Sequence, residues 1–398
     1  MRIVLAPVGT RGDVQPLIAL GKALQRAKHD VTVCAATNFE RLVTDNDLKF
    51  IDGGPDAETV IRQSGESVRN PIVFLKAGRA VLLTQFELLR RACVGADMLV
   101  GTLLLTLGPT VAEHLRIPFA WAGFFPHCAP TEEWPPPILP SVKHGARFNR
   151  VGWRVAGALT NVAVRGVVNR ARKEVGLAPI ADVFAASEAQ PMIFAADPAL
   201  SSAPRDWKWK HHQTGYWFLE QDAPLPADVD AFLQTQPVYI GFGSMPIDNV
   251  KRRMRIIVDG VRLSGRTALI SSGWAGLSSD DLPASCKLVG ALDHARLFPR
   301  VSATIHHGGA GTTSTAARAG SPQVIVPHMM DQTYWGDRVR ALGLGPPSLP
   351  RNFTANALAS AIRQVTEDSG FRERARLVSE RMSDGTEAAV KLLEAIRG

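Results

Sequence analysis

The sequence predicts an α/β protein built on parallel sheets, and three observations carry that expectation. Short apolar runs at residues 2–6, 30–35 and 98–100 alternate with helical patterns, which is how βαβ units read in sequence. Apolar runs empty into glycine-bearing loops at residues 8–13, 241–246 and 306–311, and in open parallel sheets ligands gather outside the carboxyl ends of the strands, where such loops lie. The chain, at 398 residues, has the length of two ordinary domains, each able to bury its own core.

In order, residues 2–6 are the first expected strand, followed by a loop over 7–13 and a helix carrying Leu17, Leu20 and Leu24 on one face. Further strands are expected at 30–35, 49–51, 98–100 and 119–122, with a helix at about 71–93. Residues 123–140 are proline-rich and irregular, and a loop that long inside a compact domain is usually functional or disordered. The segment 144–174 is basic and helical in pattern: Arg147, Arg150, Arg154, Arg165, Arg170, Arg172 and Lys173 face Glu174 alone, among Val151, Val155, Leu159, Val162 and Val168. It reads either as a solvated helix face or as a membrane-facing amphipathic element. Residues 192–194 are expected as the last strand of the first domain, and 201–236, with Pro204, Pro224 and Pro226, as the passage out of it. The second domain opens with a strand at 237–241, a loop to 246, a helix at about 248–263 and a strand at 267–271. A strand at 287–289 and a short turn at 294–297 follow. Residues 303–337 read as strand, glycine loop, helix stopped by Gly320, strand and loop, and helices at about 355–367, 371–382 and 386–397 close the chain.

Composition narrows the class. Hydrophobic residues make up 45% and charged residues 21%, as in globular proteins. No apolar run approaches the roughly 18 residues of a membrane span, and Gly9 ends the first run too soon for a secretory signal, so a cytoplasmic location is expected. Cys34, Cys93, Cys128 and Cys286 lack metal or redox spacing. A net charge of +8 suits anionic partners. No nucleic-acid-binding signature accompanies it, whereas an anionic membrane surface fits.

The loop after residue 305 is built to hold an anion. Gly308, Gly309 and Gly311 let the backbone approach closely, and the helix beginning near Gly311 and Thr312 points free N–H groups and a positive dipole end at the same place. His306 and the hydroxyls of Thr312 and Thr313 add donors. The loop over Val8, Gly9, Thr10, Arg11, Gly12 and Asp13 is not the dinucleotide fingerprint, whose glycines are spaced differently. By position alone, Asp13 reads as the cap of a helix beginning near Val14.

Together with the closing pair Asp331 and Gln332, the stretch 305–337 resembles the donor-sugar motif of nucleotide-sugar glycosyltransferases with the GT-B fold. It is similar in particular to sterol glucosyltransferases and to bacterial enzymes that glycosylate antibiotics and lipids. The resemblance spans nearly the whole chain, is strongest at 1–24, 238–246 and 301–347, and is weak at about 55–235. It implies two Rossmann-like β/α/β domains facing a central cleft. Residues 1–217 would bind the acceptor, with the last helix, about 384–398, crossing back to them, and 218–383 would bind the donor. It further implies that His306 and the backbone of Gly309, Ala310, Gly311 and Thr312 hold the diphosphate, aided by Thr10, Gly12, Gly243 and Ser244. Asp331 and Gln332 would hydrogen-bond sugar hydroxyls. The stretch Gly9 to Pro16 matches the loop whose aspartate is the catalytic base, which gives that role to Asp13. Phe124, His127 and Trp134 fall in the part that shapes the acceptor pocket. Trp274 is either a stacking face for the base or a core tryptophan, and His307 is read as a structural neighbour of His306.

The expected activity is an inverting transfer of a hexose, glucose from UDP-glucose, onto a hydroxyl of a lipophilic acceptor such as a sterol, glycolipid or polyketide-type product. The resemblance implies no metal and no cofactor beyond the sugar nucleotide as co-substrate, and no nucleic acid. Peripheral contact with the inner, anionic face of a membrane is the sharper expectation for the basic segment. Two alternatives stand beside it: a nucleotide-sugar epimerase or hydrolase, whose main turnover needs no acceptor, and a non-catalytic nucleotide-sugar-binding partner.

Overall fold

The computed structural model describes residues 1–55, 71–137, 139, 145–220, 224–243, 250–271, 282–328 and 331–397. The chain divides into two compact units: Met1–Ala196 with Ser202–Leu219 and Asp384–Gly398, and Asp197–Ser201 with Glu220–Ser383.

Unit 1 runs β1 (Arg2–Ala6), α1 (Arg11–Arg26), β2 (Asp30–Ala35), α2 (Glu40–Thr44), β3 (Lys49–Asp52), α3 (Pro71–Ala92), β4 (Met98–Thr102), α4 (Gly108–Leu115), β5 (Phe119–Gly123), α5 (Ala146–Glu174), α6 (Val183–Glu188), β6 (Met192–Phe194) and β7 (His211–Gln213). The seven strands are parallel, in the order β3-β2-β1-β4-β5-β6-β7. Ile3 to Ala6 and Met98 to Val100 are buried without alternation, because helices cover both faces of a parallel sheet. Strand β6 is therefore not the last. The seventh, His-His-Gln, has no apolar run to announce it and is defined by its pairing, Met192 opposite His211 and Phe194 opposite Gln213. The terminal helix, Thr386–Arg397, also belongs to unit 1. Ala389 and Leu393 are buried, and Glu394 meets the His29 ring at 2.9 Å.

Unit 2 continues with α7 (Ala227–Phe232), β8 (Val238–Gly241), α8 (Val250–Ser264), β9 (Ala268–Ser271), β10 (Cys286–Val289), α9 (His294–Leu297), β11 (Ala303–His306), α10 (Ala310–Arg318), β12 (Gln323–Ile325), α11 (Gln332–Ala341), α12 (Ala355–Glu367) and α13 (Ser369–Ser379), and Thr386–Arg397 is then α14. Its five strands are parallel in the order β10-β9-β8-β11-β12. The pleat sorts the core: Val238, Ile240, Ala268, Ile270, Ala303 and Ile305 pack with α8 and α12 on one face. Tyr239 and Leu269 point to the other face and pack with Leu297 and Phe298. Residues 332–337, expected as loop, are the start of a helix, Gln332–Ala341, whose Tyr334, Trp335 and Val339 are buried.

Candidate active site

In unit 1 the loop after β1 is shaped by two devices. The Thr102 side chain, at the end of β4 and 2% exposed, accepts the Val8 N–H at 2.9 Å and donates to the Val8 carbonyl at 3.0 Å. One hydroxyl thereby satisfies both backbone groups of a loop residue. The second device is a capping box on α1. Thr10, not Asp13, is the N-cap; its hydroxyl accepts the Gly12 N–H, and Asp13 at the third helical position accepts the Thr10 N–H at 2.8 Å and the Thr10 hydroxyl at 3.2 Å. The helix thus begins three residues earlier than expected. Gly9, at φ +138, is required here: a Cβ would lie 2.2 Å from Asp13 Oδ2.

This arrangement leaves the two oxygens of Asp13 in different states. Oδ2 serves the cap, and Oδ1 accepts no hydrogen bond from another residue among the described residues. The carboxyl is half-buried and crowded by its own loop, and desolvation pushes its pKa up to about 6 against the opposing pull of the Thr10 hydrogen bonds. The Thr10 hydroxyl hydrogen is directed to Asp13, so as placed it offers no donor to a phosphate. Gly12 is exposed in the first turn of α1.

In unit 2 the two adjacent histidines part company. His306 ends β11 fully buried. The Gly308 N–H can only donate, so His306 Nδ1 accepts it at 3.1 Å, and Nε2–H then donates to Gln323 Oε1 at 2.9 Å. Gln323, itself buried, turns its amide nitrogen to the Thr313 carbonyl at 3.4 Å. Burial holds the His306 pKa down at about 3, so the ring is neutral. The expectation that His306 grips a diphosphate is corrected: both its nitrogens are engaged in fixing the glycine loop.

His307, by contrast, is only partly buried. Its Nδ1 has no partner among the described residues, and its ring lies between two glycine loops. A Cβ at Gly243 would be 3.6 Å from its Cε1, and a Cβ at Gly309 would be 2.6 Å from its Nε2. Burial, with His328 nearby, lowers its pKa to about 4, leaving a neutral ring with one N–H to give. Beside it α10 starts at Ala310 with Gly309 as an N-cap that makes no side-chain hydrogen bond. The N–H groups of Ala310, Gly311 and Thr312 therefore lack helical acceptors, while Thr313 closes the turn onto the Gly309 carbonyl.

Asp331 and Gln332 are brought to the same loop. Gly308, at φ +87, packs so closely that a Cβ would meet Ile325 Cγ2 at 2.6 Å and the Gln332 carbonyl at 3.0 Å. Asp331 accepts the Trp335 indole N–H at 2.9 Å, one turn along α11, and Gln332 Oε1 accepts the His328 N–H at 2.7 Å. The carboxylate is thus oriented by a buried indole. Ser244 and Trp274 lie outside the described residues.

The expected acceptor residues are scattered in depth. Phe124, 5% exposed, meets Trp217 edge-on at 6.0 Å, and His127, 2% exposed, sits 5.1 Å from the Phe125 ring with its pKa lowered to about 3 by burial. Neither presents a surface to a ligand. Trp134 is half-buried and gives its carbonyl to the Trp153 indole at 3.0 Å. An apolar recess in unit 1 instead lies beside the Asp13 loop, lined by Pro7, Gly9, Ala36, Phe39, Gln85 and Leu105. Thr102, Gln323, His328 and Trp335 escaped the sequence reading because each acts through a partner distant in sequence or on an element not expected there.

Comparison with known proteins agrees with this architecture. Residues 3–132 match the glycosyltransferase family 28 N-terminal domain, and residues 270–395 match the erythromycin biosynthesis protein CIII-like C-terminal domain. The chain is 34% identical over 407 residues to a vancomycin aglycone glucosyltransferase of Amycolatopsis orientalis, covering 99% of this chain and 97% of that protein. It is 31% identical over 430 residues to a sterol 3-beta-glucosyltransferase of Cryptococcus neoformans, covering 99% of this chain and 27% of the longer relative. Among solved structures, the glycosyltransferase SsfS6 of Streptomyces sp. SF2575, complexed with thymidine diphosphate, superposes with a TM-score of 0.62 over 99% of both chains at 20% identity. The chain belongs to the glycosyltransferases of the GT-B fold.

Proposed function

We propose that the protein transfers a hexose, glucose from UDP-glucose, to a hydroxyl of a lipophilic acceptor with inversion at the anomeric carbon. The observation that carries this reading is the Asp13 carboxylate, with one oxygen fixed by its cap, the other open, and a pKa pushed up to about 6. Above that pH it is ionised yet more basic than an ordinary carboxylate, which suits a general base. Asp13 takes the acceptor proton while the acceptor oxygen bonds to the anomeric carbon. The bond to the diphosphate oxygen breaks, and its electron pair leaves with the diphosphate.

The charge that grows on the leaving group is met by the free N–H groups of residues 310–312, the positive end of α10 and the His307 imidazole. His307 thus replaces His306 in the phosphate-facing role, and no metal is needed for this stabilisation. Asp331, held by Trp335, and Gln332 accept sugar hydroxyls. The names of the vancomycin aglycone and sterol relatives support glucose as the sugar and a lipophilic ring system as the acceptor.

The test is a panel of UDP- and dTDP-sugars against sterol, glycolipid and polyketide-type acceptors, read by mass spectrometry. An acceptor heavier by one hexosyl unit, formed fastest from UDP-glucose, is the expected outcome. Free hexose or an epimerised donor at the same rate without any acceptor points to the hydrolase or epimerase alternative and overturns the reading.

A further inference from the structure

We propose that the outer face of α5 is a seat for an anionic bilayer surface. In a helix, residues three and four apart share a face, and Val151, Val155, Leu159 and Val162 follow that spacing while being 55%, 52%, 57% and 78% exposed. They form one apolar stripe about 16 Å long at 1.5 Å per residue. Its outward direction is fixed by the opposite side of the helix, where Trp153, Gly157, Val167, Val168 and Ala171 are buried. The Trp153 indole donates to the Trp134 carbonyl, Arg172 grips Glu113 through two hydrogen bonds of 2.7 and 2.9 Å, and Asn161 bonds Asp182 at 2.8 Å. The stripe therefore does not arise from a loosely docked helix.

Arg147, Arg154 and Arg165 recur at intervals of seven and eleven, which places them along one edge of the stripe. Among the described residues Arg147 and Arg154 make no ion pair, Arg165 gives a hydrogen bond to the Ala181 carbonyl, and residues 146–173 contain no carboxylate. That charge pattern selects the occupant. A second copy packed stripe to stripe would set these arginine edges against each other with no acid on the helix to neutralise them. Water solvates the arginines and leaves the valines and leucine exposed in a row. A bilayer surface accommodates both, with apolar side chains at the headgroup boundary and guanidinium groups at the lipid phosphates. The inference rests on α5 alone and on none of the donor or base residues.

The experiment is co-sedimentation of the full chain with phosphatidylcholine vesicles and with vesicles containing phosphatidylglycerol, at low and high salt. Three proteins are compared: wild type, Arg147→Gln/Arg154→Gln/Arg165→Gln, and Val155→Ser/Leu159→Ser. Wild type partitions onto the anionic vesicles only, less so in salt, and the arginine variant loses about tenfold or more in partitioning. The serine variant loses partitioning as well. Melting temperature and transfer to a water-soluble acceptor stay near wild type for both, which separates this proposal from the catalytic one. Equal binding to neutral and anionic vesicles, or unchanged partitioning of both variants, overturns it. So does a stripe variant that changes the solution mass and leaves lipid binding intact, which assigns the face to a second copy.

Discussion

Replacing Asp13 with asparagine separates the two jobs of this side chain. An amide oxygen can still take the Thr10 N–H, so the capping loss is bounded at about 1 kcal/mol. Against it stands the cost of holding a charge where burial disfavours it. The pKa rises from 3.8 to about 6, which at about 1.4 kcal/mol per unit makes ionised Asp13 a burden of roughly 3 kcal/mol. A raised folded pKa means the stability associated with this group is fully present below about pH 4 and is lost as the pH climbs through 6. Asp13→Asn should therefore match wild type in stability near pH 4 and equal or exceed it at pH 8. Its transfer rate should fall by about 100-fold to 10,000-fold, the usual range for a lost general base, with UDP affinity unchanged. Wild-type kcat/KM should rise tenfold per pH unit up to a bend near 6, and the variant should lack that limb. Denaturant titration at several pH values, calorimetry with UDP and a rate profile provide the readouts. Near-wild-type transfer together with a stability loss of about 1 kcal/mol would falsify the base assignment and leave Asp13 as a helix cap.

Other outcomes follow from named contacts. His307→Ala should weaken UDP binding by roughly 1.5 to 3 kcal/mol, as for a hydrogen bond to a charged group, with uridine binding and melting temperature held; equal losses for UDP and uridine would contradict a phosphate contact. His306→Ala should act on the fold, costing about 1 to 3 kcal/mol in denaturant titration because Gly308 N–H and Gln323 lose their buried partner. Gly308→Ala should destabilise by about 2 kcal/mol or more, since its φ is +87 and the new methyl would lie 2.6 Å from Ile325. Thr102→Val should lower kcat about tenfold through a displaced Asp13 loop, a loss comparable to one unmade buried hydrogen bond. Donor KM should be unchanged and Thr102→Ser should restore the rate; a valine variant with wild-type kcat refutes the positioning role.

The frame of both units could be read from the sequence because central strands such as β4 and β5 are buried on both faces and show as continuous apolar runs. Where that signal was missing the reading failed: β7 is His-His-Gln and is held by pairing alone. Residues 332–337 were read as loop, yet they begin a helix that buries Tyr334 and Trp335. The start of α1 was placed late because Asp13 was read as the N-cap, although Thr10 and Asp13 carry the capping-box spacing. The burial of His306, on which the role proposed for His307 depends, had a weak signal in the pleat. Thr304 and His306 share a face of β11, and Gln323 stands opposite Thr304 on β12, so polar groups were available to bury and pair with one another. The exposure of the α5 stripe was not legible, because sequence gives a helix its faces but not the one that packs.

The most direct test of the central claim is the anomeric configuration of the product, read by proton NMR from the coupling at the anomeric carbon after transfer from UDP-glucose to an accepted alcohol. A single displacement assisted by Asp13 predicts a product whose configuration is opposite to that of the donor, with no free glucose building up ahead of it. A product that keeps the donor's configuration, or glucose released at the same rate whether or not the alcohol is present, contradicts the account.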